Sequence, residues 1–224
     1  MPEKLNESDL KELAGQLGCP NGEKGIKTAN NMAVNNGHMI SLSISAMNAG
    51  SNDVVLEIGP GNGAHVGDLL ATNKHLLYYG VDISPLMISE ANKLNQIAVS
   101  AGRADFSLSD GEKLNFADDF FSRVFTVNTL YFWKDPLAYT REILRVLRPG
   151  GTFTLTFAVR DFMKTLPFTK YDFQLYSLAE AESLSRKGGF EIRRVDIHQE
   201  TVRSNAAGMR VEREITIITA IRPL

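Results

Sequence analysis

Apolar residues recur along the chain with a helical period before residue 50 and with a strand-helix alternation after it. Over 6–17, Leu10, Leu13, Ala14 and Leu17 form one helical stripe. Asn6 or Ser8 can cap it, and Gly18-Cys19-Pro20-Asn21-Gly22 ends it. A longer helix is expected over about 28–48, with Met32, Ala33, Met39, Ile40, Ile44 and Met47 on its apolar side. Its asparagines and Gly37 are poor helix formers, so a break near Gly37 is expected.

From Asp53 onward the alternation is regular. Strands are expected at 54–58, 76–81, 104–108, 121–127 and 152–158. Helices are expected at 64–71, 85–100 and 135–147. Ser84-Pro85 has the cap and first-turn proline of a helix start, and Arg148-Pro149-Gly150-Gly151 reads as a turn. Such alternation predicts a parallel sheet with helices on both faces. The last third differs. Residues 159–176 are aromatic and irregular, 177–187 is helical, and 190–198 and 209–221 read as strands. Their short polar connection cannot carry a helix, so they are antiparallel neighbours. The fold expected is a doubly wound, mostly parallel seven-stranded sheet with an antiparallel C-terminal strand. Residues 1–50 form a helical cap on the domain of residues 51–224.

Composition narrows this little. At 43% hydrophobic and 22% charged, the 224 residues suit one globular α/β domain. A net charge of −2 gives no general pull toward nucleic acid or membrane. Cys19 stands alone, so neither an internal disulfide nor a zinc spacing is present, and no metal is expected. No apolar run approaches the roughly 20 residues of a membrane span. The amino terminus lacks a signal-peptide core, so a cytoplasmic protein is expected.

Chemistry enters at Val54-Val55-Leu56-Glu57-Ile58-Gly59-Pro60-Gly61-Asn62-Gly63-Ala64. A strand ends in a carboxylate, turns through alternate glycines and opens a helix. Gly59, Gly61, Ala64 and Asp82 satisfy a dinucleotide fingerprint. Glu57 argues against it, because a carboxylate there repels a pyrophosphate but suits the ammonium and sulfonium of S-adenosylmethionine. Ser109-Asp110-Gly111 ends the third strand, where a carboxylate can meet an adenine amino group and glycine admits the ring. Asn128 ends the fourth strand beside the crevice where such sheets bind ligands.

Together with Gly80-Val81-Asp82-Ile83-Ser84 and Arg145-Val146-Leu147-Arg148-Pro149-Gly150-Gly151, this order of motifs resembles the class I S-adenosylmethionine-dependent methyltransferases. The resemblance covers about 53–224, plus helices ahead of the first strand. It implies a Rossmann-like methyltransferase fold with the seventh strand between the fifth and sixth. It also implies that Glu57, Gly59, Gly61 and Gly63 line the methionine end of the cofactor. Asp82 would take the ribose hydroxyls and Ile83 the adenine face. Asp110 and Gly111 would meet the adenine edge, and Asn128 the methionine moiety or the methyl.

On the acceptor side, the loop after the fourth strand lacks the Asn/Asp-Pro-Pro-Tyr/Phe motif of DNA-adenine and protein-glutamine methyltransferases. A small molecule, apolar or aromatic in part, is the expected acceptor. Tyr131, Phe132 and Trp133 either line its pocket or pack on the next helix. No motif marks a base; by position the catalytic candidates are His38 and Tyr131, and His65 reads as a packing residue. Asp161, Lys170 and Tyr171 lie in the aromatic stretch. There Phe162, Met163, Leu166, Phe168, Tyr171 and Phe173 form a lid, complete the core, or make an interface. Arg141, Arg145 and Arg148 read as a solvated helix face, and Arg193, Arg194, Arg203, Arg210 and Arg213 as scattered charges among acids, so no nucleic-acid surface is expected. Two other readings stay open. One is an NAD-dependent oxidoreductase, which leaves Glu57 and Asp110 unexplained. The other is a non-catalytic cofactor-binding module with a protein partner.

Overall fold

Val55, Leu56, Glu57 and Ile58 are all buried, so the first strand, β1 (Val54–Ile58), is covered on both faces. That is the environment of a central parallel strand. In the computed structural model, which describes residues 5–203 and 210–224, β1 lies between β2 (Leu77–Asp82) and β4 (Phe121–Val127). With β3 (Ala104–Leu108), β5 (Leu147–Ala158), β6 (Glu191–Arg203) and β7 (Arg210–Ile221), the sheet order is β3-β2-β1-β4-β5-β7-β6. The pairs among β1 to β5 are parallel, while β7 runs antiparallel to both β5 and β6. The seventh strand therefore sits between the fifth and sixth, as expected.

Neighbouring residues of one strand feed opposite cores. Val55 joins Val66, Leu69 and Leu70 of α3 (Val66–Thr72) and Ala91 of α4 (Pro85–Leu94). Leu56 joins Ile143 and Val146 of α6 (Pro136–Val146) and Ala181 of α8 (Leu178–Lys187). The period-2 pleat thus makes the sheet doubly wound.

The caps follow the sequence cues. Asn6 and Asp9 form a capping box on α1 (Glu7–Gly18), and Ser84 accepts from the Met87 amide above Pro85. Four boundaries differ. The second helix, α2 (Gly22–Met47), has no break at Gly37. Gly37 is exposed, while Met39, Ser43 and Met47 on the opposite side are buried against the sheet and outweigh its poor propensity. The expected helix at 85–100 is interrupted at Asn95, which begins α5 (Gln96–Ser100) and donates its side-chain amide to the Gly63 and Ala91 carbonyls. The expected turn at 148–151 lies within β5, where the register against β4 shifts. Finally, β6 runs on to Arg203; Met209 and the polar loop of 204–209 lie outside the described residues.

The aromatic stretch holds a short helix, α7 (Arg160–Met163), and a 3-10 turn (Pro167–Lys170) that packs on α1. Among the described residues, no helix is long and apolar enough to cross a membrane.

Candidate functional site: two adjacent cavities

Strand order reverses between β1 and β4, and there a cavity of about 190 Å³ opens at the carboxyl ends of β1, β2 and β4. This is the crevice where open α/β sheets bind ligands. Met32, Ala33, Asn36 and Ile40 of α2 face it from the cap side. Glu57, Gly59, Gly61, Asp82, Ile83, Asp110, Gly111 and Asn128 all line it. Gly63 does not. A Cβ there would meet Asn95 Nδ2 at 3.0 Å and Ala91 Cβ at 3.2 Å, so Gly63 seats the turn against α4. Gly61 is the opposite case: its φ is +57° and a Cβ would meet nothing within 4 Å, so its backbone borders open space.

The carboxylates differ in how they are held. Glu57 is 1% exposed, and its Oε2 meets His65 Nε2 at 2.7 Å and the Tyr78 hydroxyl at 2.5 Å. Burial disfavours the His65 imidazolium, but the Glu57 charge and hydrogen bond outweigh that and raise its pKa. His65 is therefore more than packing: it orients Glu57 and lines the cavity. Asp82 accepts the Ser84 amide at 2.9 Å on Oδ1 and the Gly61 amide at 3.2 Å on Oδ2. Burial pushes its pKa up to about 6, against the opposing backbone hydrogen bonds. Asp110 is exposed, and the Lys113 and Glu112 amides, each at 2.8 Å, hold its pKa down.

A second cavity of about 100 Å³ shares Leu17, Met32, Asn36, Asn128 and Phe132 with the first. Its far wall is the aromatic stretch: Phe162, Met163, Leu166, Phe168 and Phe173. Tyr171 is turned away to Glu7 Oε1 at 3.1 Å, and Asp161 and Lys170 line neither cavity. Phe132 lines both cavities; Trp133 lines the first while packing edge-on against Tyr139 of α6.

The two catalytic candidates are placed differently. Tyr131 lines the second cavity, but its hydroxyl is buried among Asn128 Oδ1 (3.0 Å), the Ala158 carbonyl (2.9 Å) and the Ala158 amide (2.8 Å). Burial raises its pKa, so it is a poor source of phenolate. His38 lines neither cavity; its side chain is 55% exposed and its Nδ1 meets Glu200 Oε2 at 2.9 Å.

Sequence reasoning named neither Asn36 nor Glu200 for this site and read Arg213 as a scattered charge among acids, which the structure corrects. Arg213 is 7% exposed and lines the second cavity. Its signal is its place at alternate spacing with Val211, Ile215 and Ile217, which puts a charge on the inward face of β7. The helix-face reading of Arg145 also changes. Its guanidinium clamps the loop after β3, donating to the Leu114 and Phe116 carbonyls at 2.9 Å each, and pairs with Glu142 and Asp118.

Comparison with known proteins agrees with this architecture. Residues 56–155 match the family described as a methyltransferase domain. The uncharacterized methyltransferase YdaC of Bacillus subtilis is 26% identical over 58% of this chain and 70% of its own length. The fatty-acid O-methyltransferase of Mycolicibacterium smegmatis is 32% identical over 46% of this chain and 36% of its own. For most of the curated relatives it matches, this chain spans between a quarter and two fifths of their length. Among solved structures, a chain of the complex between the Haloferax volcanii Trm112 methyltransferase activator and a methyltransferase superposes with a TM-score of 0.74 at 18% identity, covering 96% of this chain and 98% of that one. The sheet order, the acidic strand end before the glycine turn and the domain match converge: the chain has a Rossmann-like methyltransferase fold, and its residues 56–155 are similar to a methyltransferase domain.

Proposed function

We propose that the protein transfers a methyl group from S-adenosylmethionine to a small-molecule acceptor with an apolar or aromatic body. The observation that carries this reading is the pair of adjacent cavities with a shared wall. One is ringed by the glycine turn and carboxylates, the other is walled by aromatic and aliphatic side chains, and Asn128 belongs to both.

The residues present fit the cofactor. Open space beside Gly61 admits a ligand against the backbone, and Asp82 is a buried carboxylate at the end of β2 that accepts the Gly61 amide. Glu57, Gly59 and Gly61 would hold the methionine end, Asp82 the ribose, Ile83 with Asp110 and Gly111 the adenine, and Asn128 the reacting end. When bound, S-adenosylmethionine supplies an electrophilic methyl on a sulfonium. The chain's own part is alignment: Glu57 is fixed by His65 and Tyr78, and the second cavity holds the acceptor with few orientations. Alignment alone can supply several kcal/mol of barrier lowering. The aromatic stretch gives the second cavity an apolar wall suited to the body of such an acceptor.

Calorimetric titration with S-adenosylhomocysteine tests the reading. Micromolar binding is expected, and its absence at millimolar ligand would overturn it.

A further inference from the structure

The wall shared by the two cavities carries a hydrogen-bonded chain whose polarity is set from one end. Arg213 on β7 donates to Glu200 Oε1 on β6 through Nε at 2.8 Å and Nη2 at 2.5 Å. Nη2 also donates to the Asn35 carbonyl at 2.7 Å, and Nη1 to Asn36 Oδ1 at 3.0 Å. A guanidinium has donors only, so Asn36 must turn its oxygen toward Arg213. That same oxygen accepts Asn128 Nδ2 at 3.4 Å, and Nδ2 also meets Met39 Sδ at 3.3 Å. The oxygen of Asn128 is thereby left on the other side, where the Tyr131 hydroxyl reaches it at 3.0 Å. An amide turned over has nearly the same shape, and here the arginine decides which way it stands.

The charge balance bears on the acceptor too. Arg213 lines the second cavity, but Glu200 matches its charge, and both side chains are 9% exposed. An ion pair this buried costs desolvation that apolar side chains would not, so a role in specificity is a reason to keep it.

We propose that Arg213 is a positioning residue that sets acceptor specificity. Through Asn36 it holds the Asn128 carbonyl oxygen as a hydrogen-bond acceptor in the wall that the cavities share. The acceptor selected is an uncharged apolar molecule offering one hydroxyl at that point. A molecule without the hydroxyl forgoes the bond, and a carboxylate sets oxygen against oxygen. This rests on the methyltransferase reading of the two cavities.

The test uses 2-naphthol, naphthalene and 2-naphthoate as probes, titrated into the protein saturated with S-adenosylhomocysteine. Wild type is expected to bind 2-naphthol at least tenfold more tightly than either of the others. The double variant Arg213→Met/Glu200→Gln removes both charges and orphans neither. In it the preference should fall below threefold while S-adenosylhomocysteine affinity stays within threefold. Asn36→Asp keeps an oxygen for Arg213 and for Asn128 and should retain the preference, whereas Asn36→Leu should lose it. Equal binding of the probes to wild type, no binding of any, or an unchanged preference in the double variant overturns the proposal. If S-adenosylhomocysteine itself fails to bind wild type, the methyltransferase reading falls first, which separates the two failures.

Discussion

Asp82 is the residue at which burial bears most directly on the proposed cofactor site. Its carboxyl is held by the Gly61 and Ser84 amides, and burial pushes its pKa up to about 6. Ribose hydroxyls donate best to the ionised form, so S-adenosylhomocysteine affinity should weaken as pH falls from 7.5 through 6. At pH 5 about one such carboxyl in ten is ionised. Asp82→Ala should cost roughly 1–3 kcal/mol of affinity at pH 7.5 and flatten that pH dependence, both readable by calorimetry. An affinity that stays constant from pH 7.5 to 5 would remove the carboxylate from the ribose site. Gly59 is a steric counterpart. Its φ is +75° and a Cβ would fall 2.4 Å from Thr129 Cγ2. Gly59→Ala should therefore destabilise the fold by about 1–3 kcal/mol in chemical denaturation, and a neutral result would mean the turn relaxes freely.

At the scale of elements, α2 and the loop after β3 repay attention because local rules misjudge both. Gly37 reads as a helix breaker, yet α2 passes through it. Nothing lies within 4 Å of the Cβ that alanine would add there, so Gly37→Ala should stabilise the protein by about 0.5–1 kcal/mol, seen as a higher denaturation midpoint. A lower midpoint would point to a packing role for the glycine. Arg145 reads as a solvated face, yet it satisfies the carbonyls of Leu114 and Phe116 in a loop with little regular structure. Removing one partner of hydrogen bonds to a charged group costs roughly 1.5–3 kcal/mol, the loss expected for Arg145→Ala. Faster amide hydrogen exchange between Asp110 and Asp119 should accompany it, and unchanged exchange would leave the clamp without consequence.

Across the whole molecule, the cap, the sheet and the aromatic stretch each contribute a wall, so ligand binding couples to global stability. S-adenosylhomocysteine at 100 times its dissociation constant should stabilise the fold by about 2.7 kcal/mol. For a domain of this size that is a rise in Tm of roughly 5–11 °C. NAD at the same concentration should give none; protection by NAD alone would restore the dinucleotide reading. The strand-helix alternation, the winding of the sheet and the glycine turn were readable from the sequence. Each follows from a period or a turn rule that acts over a few neighbouring residues. That Glu57, Asp82 and Asp110 share one cavity was readable for the same reason, since each lies at or beside the carboxyl end of a strand at the edge that the topology exposes. Gly63 packs against α4 instead of lining the cavity, because a turn rule gives the backbone conformation and not which neighbour fills the space beside it. His65, Asn36, Glu200 and Arg213 became informative only in three dimensions. Arg213 meets Asn36 across 177 positions and Glu200 across 13. The orientation of the Asn128 amide depends, through Asn36, on a donor-only side chain brought in from the last strand. The sequence by itself determined the scaffold and the kind of cofactor. Tertiary structure alone decided how the second cavity is lined, because that surface is assembled from segments that touch only once the chain has folded.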